Sequence, residues 1–371
     1  MSVEGRVRVS ARLAEGRLAA VGIAADRPLL ARRLLVGRTP AEALALLPTL
    51  FSLCGRSQAT VAAAALDAAL GQVPGQAIQR RRVREMTAET AGEHAFRLLL
   101  DWPALSGDPG DVALLSRVRS LLAGAAASEG SWGTARDALV VMTEARILGT
   151  AMDSWLEQFS ADEWIEWARS RRTGCAGTMA TLASLTAWSA PDTPQLVRPQ
   201  HSFFVEQIAL RALEDPGFAA APVLDGEPAE CGALARCLSH PGVLDLTRRD
   251  RITARAFARL AEFTLLLRED SVAGHLESAM PSPGVGAAMG EMARGLLVHA
   301  VRLEGGRIAD YAIVAPTEWN FHPRGALFRE LSGRPVRDEG EAKRALNFAA
   351  ATLDPCVALE AGLDGGEPGD A

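Results

Sequence analysis

The sequence predicts an α+β protein, predominantly helical, with a small β-hairpin in each half of the chain. Three observations lead there. Apolar residues recur at helical spacing through most of the middle of the chain. Two stretches, one near each end, alternate apolar and polar residues and fold back at a glycine turn. No internal repeat or long linker interrupts the 371 residues. A hydrophobic content of 48% suffices for a large core, and 23% charged residues exclude global disorder. Length alone would allow two or three domains. The organisation favours one body over residues 1–362 and a loose, Gly- and acid-rich tail over 363–371.

The elements follow in order. Val3, Val7, Val9, Ala11 and Leu13 share one face, Glu15-Gly16 turns the chain, and Leu18 to Ile23 returns as the first hairpin. A helix over 28–36 comes next. Thr39-Pro40-Ala41-Glu42 is a capping box with proline at the first helical position, and Pro48 should bend or end that helix. The alanine-rich stretch 59–70 reads as a helix, as do 80–101, 112–127, 135–158 and 161–171. Ser160 and Glu163 form a second capping box, and Trp164 and Trp167 share a helix face, where core packing is their expected role. Residues 190–199, with three prolines, form a loop. Helical spacing returns over 203–213 and 253–267, and 281–286 reads as a loop. Residues 297–303 and 308–314 alternate about Gly305-Gly306 and give the second hairpin. The last helix covers 341–350.

Composition excludes several function classes. Lys+Arg 39 against Asp+Glu 45 gives a net charge of −6, which argues against nucleic-acid or anionic-membrane binding. Five cysteines, scattered and odd in number, are no disulfide framework and suit a reducing cytosol. The N-terminus lacks a signal-peptide apolar region, and no apolar run reaches the roughly 18–20 residues of a membrane span. A cytoplasmic protein without membrane insertion is expected. There is no GxGxxG between strand and helix, no P-loop and no HExxH. The six histidines are dispersed, and Cys231 and Cys237 are too loosely spaced for a zinc knuckle. Pattern alone does not disclose the chemistry.

An ordered series of short motifs does. It comprises Val3-Glu4-Gly5-Arg6, Gly37-Arg38-Thr39-Pro40 and Ser52-Leu53-Cys54-Gly55-Arg56-Ser57 near one end. Near the other it comprises Gly290-Glu291-Met292-Ala293-Arg294-Gly295-Leu296-Leu297-Val298-His299, then Gly306-Arg307-Ile308 and Tyr311. Pro316-Thr317-Glu318-Trp319-Asn320 with Pro323-Arg324, and Leu353-Asp354-Pro355-Cys356-Val357-Ala358-Leu359, complete it. In this order they resemble the RIEGH, GRDP, RICGVC, EAPRGxLxH, PTTWNxxPRD and FDPCxxC elements of nickel–iron hydrogenase large subunits. The middle of the chain, about 70–285, offers no such match.

Where the sequence departs from that family, the resemblance changes its meaning. The enzymes hold nickel and iron with four cysteines, two per CxxC motif. Here Cys54 and Cys356 keep the terminal positions, while the bridging positions are Ser57 and Leu359 and the closing histidine is Gly362. Serine is a poor soft-metal ligand and leucine is none. The usual bimetallic centre is therefore not expected, nor is nickel, nor catalysis. By the resemblance, Cys54 and Cys356 would form a soft metal site. Arg294 would face anionic cyanide ligands, and Pro316 and Thr317 would line the pocket for an Fe(CN)2CO fragment. Cys54 precedes a helix, whose amides and dipole should lower its pKa. Glu4, His299 and His322 are expected to be structural. Ser57 could either hydrogen-bond the fragment or be a plain surface or helix-capping serine.

This pattern resembles hydrogenase maturation proteins of the HupK/HoxV type. It implies an assembly scaffold that receives the Fe(CN)2CO unit from HypC-type and HypD-type maturation proteins and passes it to a hydrogenase large-subunit precursor. The alternative is a degenerate catalytic or structural subunit of a hydrogenase-related complex.

Overall fold

Alternation in the first strand decides where the two ends of the chain meet. In β1 (Arg6–Ala14), Val7, Val9 and Ala11 are buried and Arg8 and Arg12 face out, while Leu13, expected on the buried face, is over a third exposed. Glu15 and Gly16 turn the chain with positive φ, and β2 (Arg17–Asp26) pairs antiparallel with β1. The free edge of β1 takes a strand that sequence reading missed. This strand, β7 (Ala358–Leu363), runs parallel to β1 with Val7 opposite Leu359, and Arg6 and Arg8 both ion-pair with Glu360 across the join. The C-terminal segment is thus fixed beside the N-terminal one.

The structure, a computed structural model, describes residues 5–26, 30–51, 53–127, 131–197, 199–268 and 276–364. Val3, Glu4 and residues 365–371 of the expected tail lie outside these. Leu363 belongs to β7, so this strand runs one residue past the expected boundary at 362.

The second predicted hairpin is present as β5 (Gly295–Glu304) and β6 (Arg307–Val314), but it is half of a four-stranded sheet. Residues 281–286, expected as a loop, instead close β3 (Leu276–Ser282) and open β4 (Val285–Met292), giving the order β3-β4-β5-β6. The reason is burial on both faces. Every residue of β4 is buried, so no polar alternation marks it. On one side Ala287, Met289, Val298 and Ala300 pack with Phe204, Ile208 and Trp319. On the other Ala288, Met292, Leu297 and Val301 pack against Val61, Ala62 and Ala65 of the helix Gly55–Ala69. Gly286 and Gly290 let that helix press onto the sheet: a Cβ at Gly286 would lie 2.0 Å from the Ala65 carbonyl oxygen.

Most helices stand where their signals place them. Both capping boxes form, at Thr39 before Pro40–Leu50 and at Ser160 before Ala161–Arg169. Pro48 lies inside its helix, which ends soon after it. The stretch 135–158, read as one helix, is broken: Gly149 turns left-handed (φ 68) between a π-helical turn, Thr143–Leu148, and the short helix Met152–Leu156. In the main core Trp164 stacks between Trp155 and Phe257 of the long helix Arg251–Arg268, and Trp167 meets both edge-on, which bears out the packing role expected of Trp164 and Trp167. Among the described residues no helix is long and apolar enough to cross a membrane.

Candidate metallocentre site

Three chain reversals converge on one buried point. Cys54 caps the N-terminus of helix Gly55–Ala69. Arg294 sits in the tight turn joining β4 to β5, followed by Gly295 at φ +128, where a Cβ would strike Cys231 Sγ at 2.4 Å. Cys356 follows helix Glu339–Leu353, whose C-cap, Asp354, is left-handed (φ 60), a conformation that aspartate tolerates better than most residues. β7 then anchors this segment on β1. The outcome is that Cys54 and Cys356, from opposite ends of the sequence, stand within hydrogen-bonding contact, both as free thiols. Cys54 is 3% exposed and Cys356 is half-buried.

Arg294 is the cation of this site. Its Nη2 donates to Glu93 Oε2 at 2.9 Å and its Nε lies 3.2 Å from Asp354 Oδ1. Asp354 is also gripped by Arg97 (2.5 Å) and Arg259 (2.8 Å). Three guanidiniums around it hold this buried carboxyl well below the usual carboxylate range. Burial opposes the charge on Arg294, but the carboxylates of Asp354 and Glu93 outweigh it and raise the pKa of Arg294, keeping it cationic.

The Cys54 thiol departs from expectation. The shared hydrogen bond with Cys356, together with burial, raises its pKa well above the ordinary value; Arg294 opposes this and does not prevail. The helix N-terminus does not lower it because its amides are already engaged. The N–H groups of Arg56 (3.0 Å) and Ser57 (2.9 Å) donate to Glu89, as does the Ser57 hydroxyl at 2.5 Å. Of the two roles weighed for Ser57, the structure shows a third: it ties its helix to the neighbouring one, Gln76–Phe96. Glu89 itself is buried, which raises its pKa. Leu359, at the other bridging position, packs on the main core from β7.

Pro316 and Thr317 open the short helix Pro316–Asn320, whose last residue ties it to the backbone of Arg294. Asn320 Nδ2 donates to the Arg294 carbonyl (3.1 Å), its Oδ1 accepts from the Cys231 N–H (2.9 Å), and Cys231 Sγ lies 3.9 Å from the carbonyl oxygens of both Arg294 and Pro316. Among the described residues Arg294 Nη1 and Thr317 Oγ1 are buried without any partner. Such groups are costly unless something accepts from them. A cavity of about 10 Å³, bordered by Arg255, Arg259, Arg294, Cys231 and Asn320, lies beside Arg294. Among the described residues no group of three or more His, Cys, Asp or Glu side chains is arranged to hold a metal ion.

The remaining residues sort themselves. Glu4 lies outside the described residues. His322 accepts from the Arg324 N–H through Nδ1 (3.1 Å), and Cys231 and Cys237 are separate buried thiols. Glu93, Arg97, Arg259, Glu89 and Gln58 escaped sequence reading. Each contacts the site by its side chain from the unmatched middle or from a helix face, and none carries a local motif.

The profile of the nickel-dependent hydrogenase family matches residues 252–359. The hydrogenase expression/formation protein HoxV of Cupriavidus necator is 35% identical over 362 residues, covering 91% of each chain. HupK of Rhizobium leguminosarum bv. viciae is 30% identical, covering 96% of each chain. HupK of Azotobacter vinelandii is 31% identical, covering 96% of this chain and 98% of its own. Among solved structures, the reduced, active Ni-Fe-Se hydrogenase of Desulfomicrobium baculatum superposes with a TM-score of 0.56 at 15% identity, over 93% of this chain and 95% of that one. That likeness speaks to fold alone.

Proposed function

The chain belongs to the HoxV/HupK family of hydrogenase expression/formation proteins and so has a role in hydrogenase maturation; within that role, we propose that it carries a cyano-carbonyl iron fragment between its thiols. The observation behind this reading is the meeting of Cys54 and Cys356 beside Arg294, whose Nη1 is buried and unpartnered.

Two thiolates are a soft donor pair suited to iron. They are too few to hold a bare, hydrated ion, but a fragment that brings its own diatomic ligands needs few from the protein. Arg294 Nη1 and Thr317 Oγ1 supply hydrogen-bond donors for cyanide nitrogens, and the guanidinium balances their negative charge. Loading through two thiolates breaks the hydrogen bond between the thiols and releases both of their protons to solvent. That cost keeps affinity moderate, which suits a protein that must release its cargo. Ser57 and Leu359 offer no thiolate to bridge nickel, so the role is that of a scaffold without turnover. HypC-type and HypD-type proteins are the donors this reading implies, and a large-subunit precursor is the acceptor.

The test is infrared spectroscopy with metal analysis on protein isolated from a cell containing the maturation system. The expected result is cyanide and carbonyl stretching bands, iron without stoichiometric nickel, and loss of the bands in the Cys54→Ala/Cys356→Ala variant. Bands that survive in that variant would remove the thiols as anchors. Stoichiometric nickel would instead favour a degenerate catalytic subunit.

A further inference from the structure

Behind Cys54 runs a line of buried polar side chains that the reading above does not use. Gln58, one helical turn after Cys54, places Nε2 3.9 Å from Cys54 Sγ. Its Oε1 lies 2.8 Å from His299 Nε2, and His299 Nδ1 lies 2.7 Å from the hydroxyl of Tyr311, the only tyrosine in the chain. Gln58 is 1% exposed, and His299 and Tyr311 are fully buried. The line crosses from the helix Gly55–Ala69 to β5 and on to β6. A run of three buried polar groups inside an alanine- and valine-lined layer is expensive unless each member is satisfied.

Its polarity follows from the inventory of donors. Burial pushes the His299 pKa down to about 3, so the ring is neutral and has one N–H. A metal-bound sulfur has no proton, so it can only accept. With Gln58 Nε2 donating to sulfur, Oε1 must accept from His299 Nε2–H, and His299 Nδ1 must accept from the Tyr311 hydroxyl. The whole line then points its donors at Cys54. The reverse order would set the Gln58 oxygen against a sulfur that has no proton to give.

We propose that Gln58, aligned by His299 and Tyr311, is a positioning residue that donates an amide hydrogen bond to the Cys54 sulfur and thereby weakens that thiolate's donation to bound iron. The inference rests on the scaffold reading and deepens it. Outer hydrogen bonds to metal-bound sulfur tune the metal's electron density and the lability of the bond. Cys54 becomes the ligand built to let go, and Cys356, nearer the surface, the one through which the cargo leaves.

The test compares wild-type chain with Gln58→Leu and Tyr311→Phe, each isolated from the maturation background. All three are expected to carry the infrared bands. In Gln58→Leu the carbonyl band moves to lower wavenumber, because a stronger thiolate donor enriches the iron and increases back-donation. Tyr311→Phe shifts it the same way by less. Bands at unchanged positions in both variants overturn the positioning role and leave the scaffold reading standing. Absence of bands from the wild-type chain overturns the scaffold reading and the inference with it. Nitrogen-15 NMR of His299 in the iron-loaded chain gives a readout that needs no variant. The Nε2–H tautomer is expected, and the Nδ1–H tautomer refutes the proposed polarity.

Discussion

Replacing Asp354 by asparagine removes one charge from a site where three cations depend on it. The carboxylate is buried and contacts Arg97 at 2.5 Å, Arg259 at 2.8 Å and Arg294 at 3.2 Å. At about 3 Å and an effective dielectric constant of about 20, each pair attracts by about 5 kcal/mol before desolvation. Most of that offsets the removal of four charged groups from water. What the substitution exposes is the imbalance: among the described residues the three guanidiniums keep only Glu93 and Asp101 as acid partners. Breaking a buried network by removing one partner costs about 3–5 kcal/mol. Asparagine keeps the size and tolerates the left-handed backbone at this C-cap, so backbone strain adds little. Urea unfolding followed by circular dichroism measures the loss. The sign with pH is fixed as well. A carboxyl whose pKa is depressed on folding adds stability that is complete above its unfolded value, about 3.9, and is lost as pH falls toward the folded value. The variant should therefore lose most at neutral pH and converge with wild type in acid. A loss below about 1 kcal/mol at pH 7, or an unchanged difference at pH 3, would show that Asp354 does not bind the three arginines together.

Other outcomes follow from the same reasoning. His94 is buried between Glu262 and Arg259, and burial depresses its pKa to about 4. Stability should fall as pH drops from about 6.5 toward 4, where the unfolded chain takes up the proton that the folded chain refuses, and His94→Gln should flatten that slope in denaturation curves. Gly286→Ala drives a methyl group into the backbone at Ala65 and Ala69 (2.0 and 2.5 Å) and should cost about 1–3 kcal/mol or abolish folding. Gly124→Ala, in a helix with open space around it, should gain about 0.5–1 kcal/mol; equal effects from the two glycines would contradict the packing described.

The legible parts of the sequence were those whose signals are local. Capping boxes at Thr39 and Ser160, and the turns at Glu15-Gly16 and Gly305-Gly306, form as read because a few adjacent residues determine each. β4 escaped because helices cover both its faces, so Val285–Met292 carries no alternation. β7 escaped because it is short and half-exposed, and only its partner β1 makes it a strand. The site divides in the same way. Cys54, Arg294 and Cys356 were found through motif order, but nothing in their spacing brings them together; the β1–β7 join and the β4–β5 turn do that. Glu93, Arg97 and Arg259, which hold Arg294 and Asp354, are ordinary charged residues on helices until the fold aligns them. The Cys54 pKa was misread because the helix N-terminus was counted as free, whereas Glu89 from a neighbouring helix already accepts its N–H groups.

The two lost cysteine positions now serve the fold. Ser57 turns its hydroxyl and amide to Glu89 and pins the N-terminus of the Cys54 helix to its neighbour. Leu359 lies in β7 opposite Val7 and packs on the main core, fixing the segment that carries Cys356. Ser57 and Leu359 thus help hold the two segments on which Cys54 and Cys356 stand. Under the proposed function, a pair of thiolates with no third His, Cys, Asp or Glu ligand among the described residues would bind what is already partly ligated and give it up when a fuller ligand set is offered. The acceptor of that proposal, a large-subunit precursor with four thiols, would present such a set. On this view the direction of transfer follows from ligand count, two sulfurs against four, and needs no energy source at the scaffold itself.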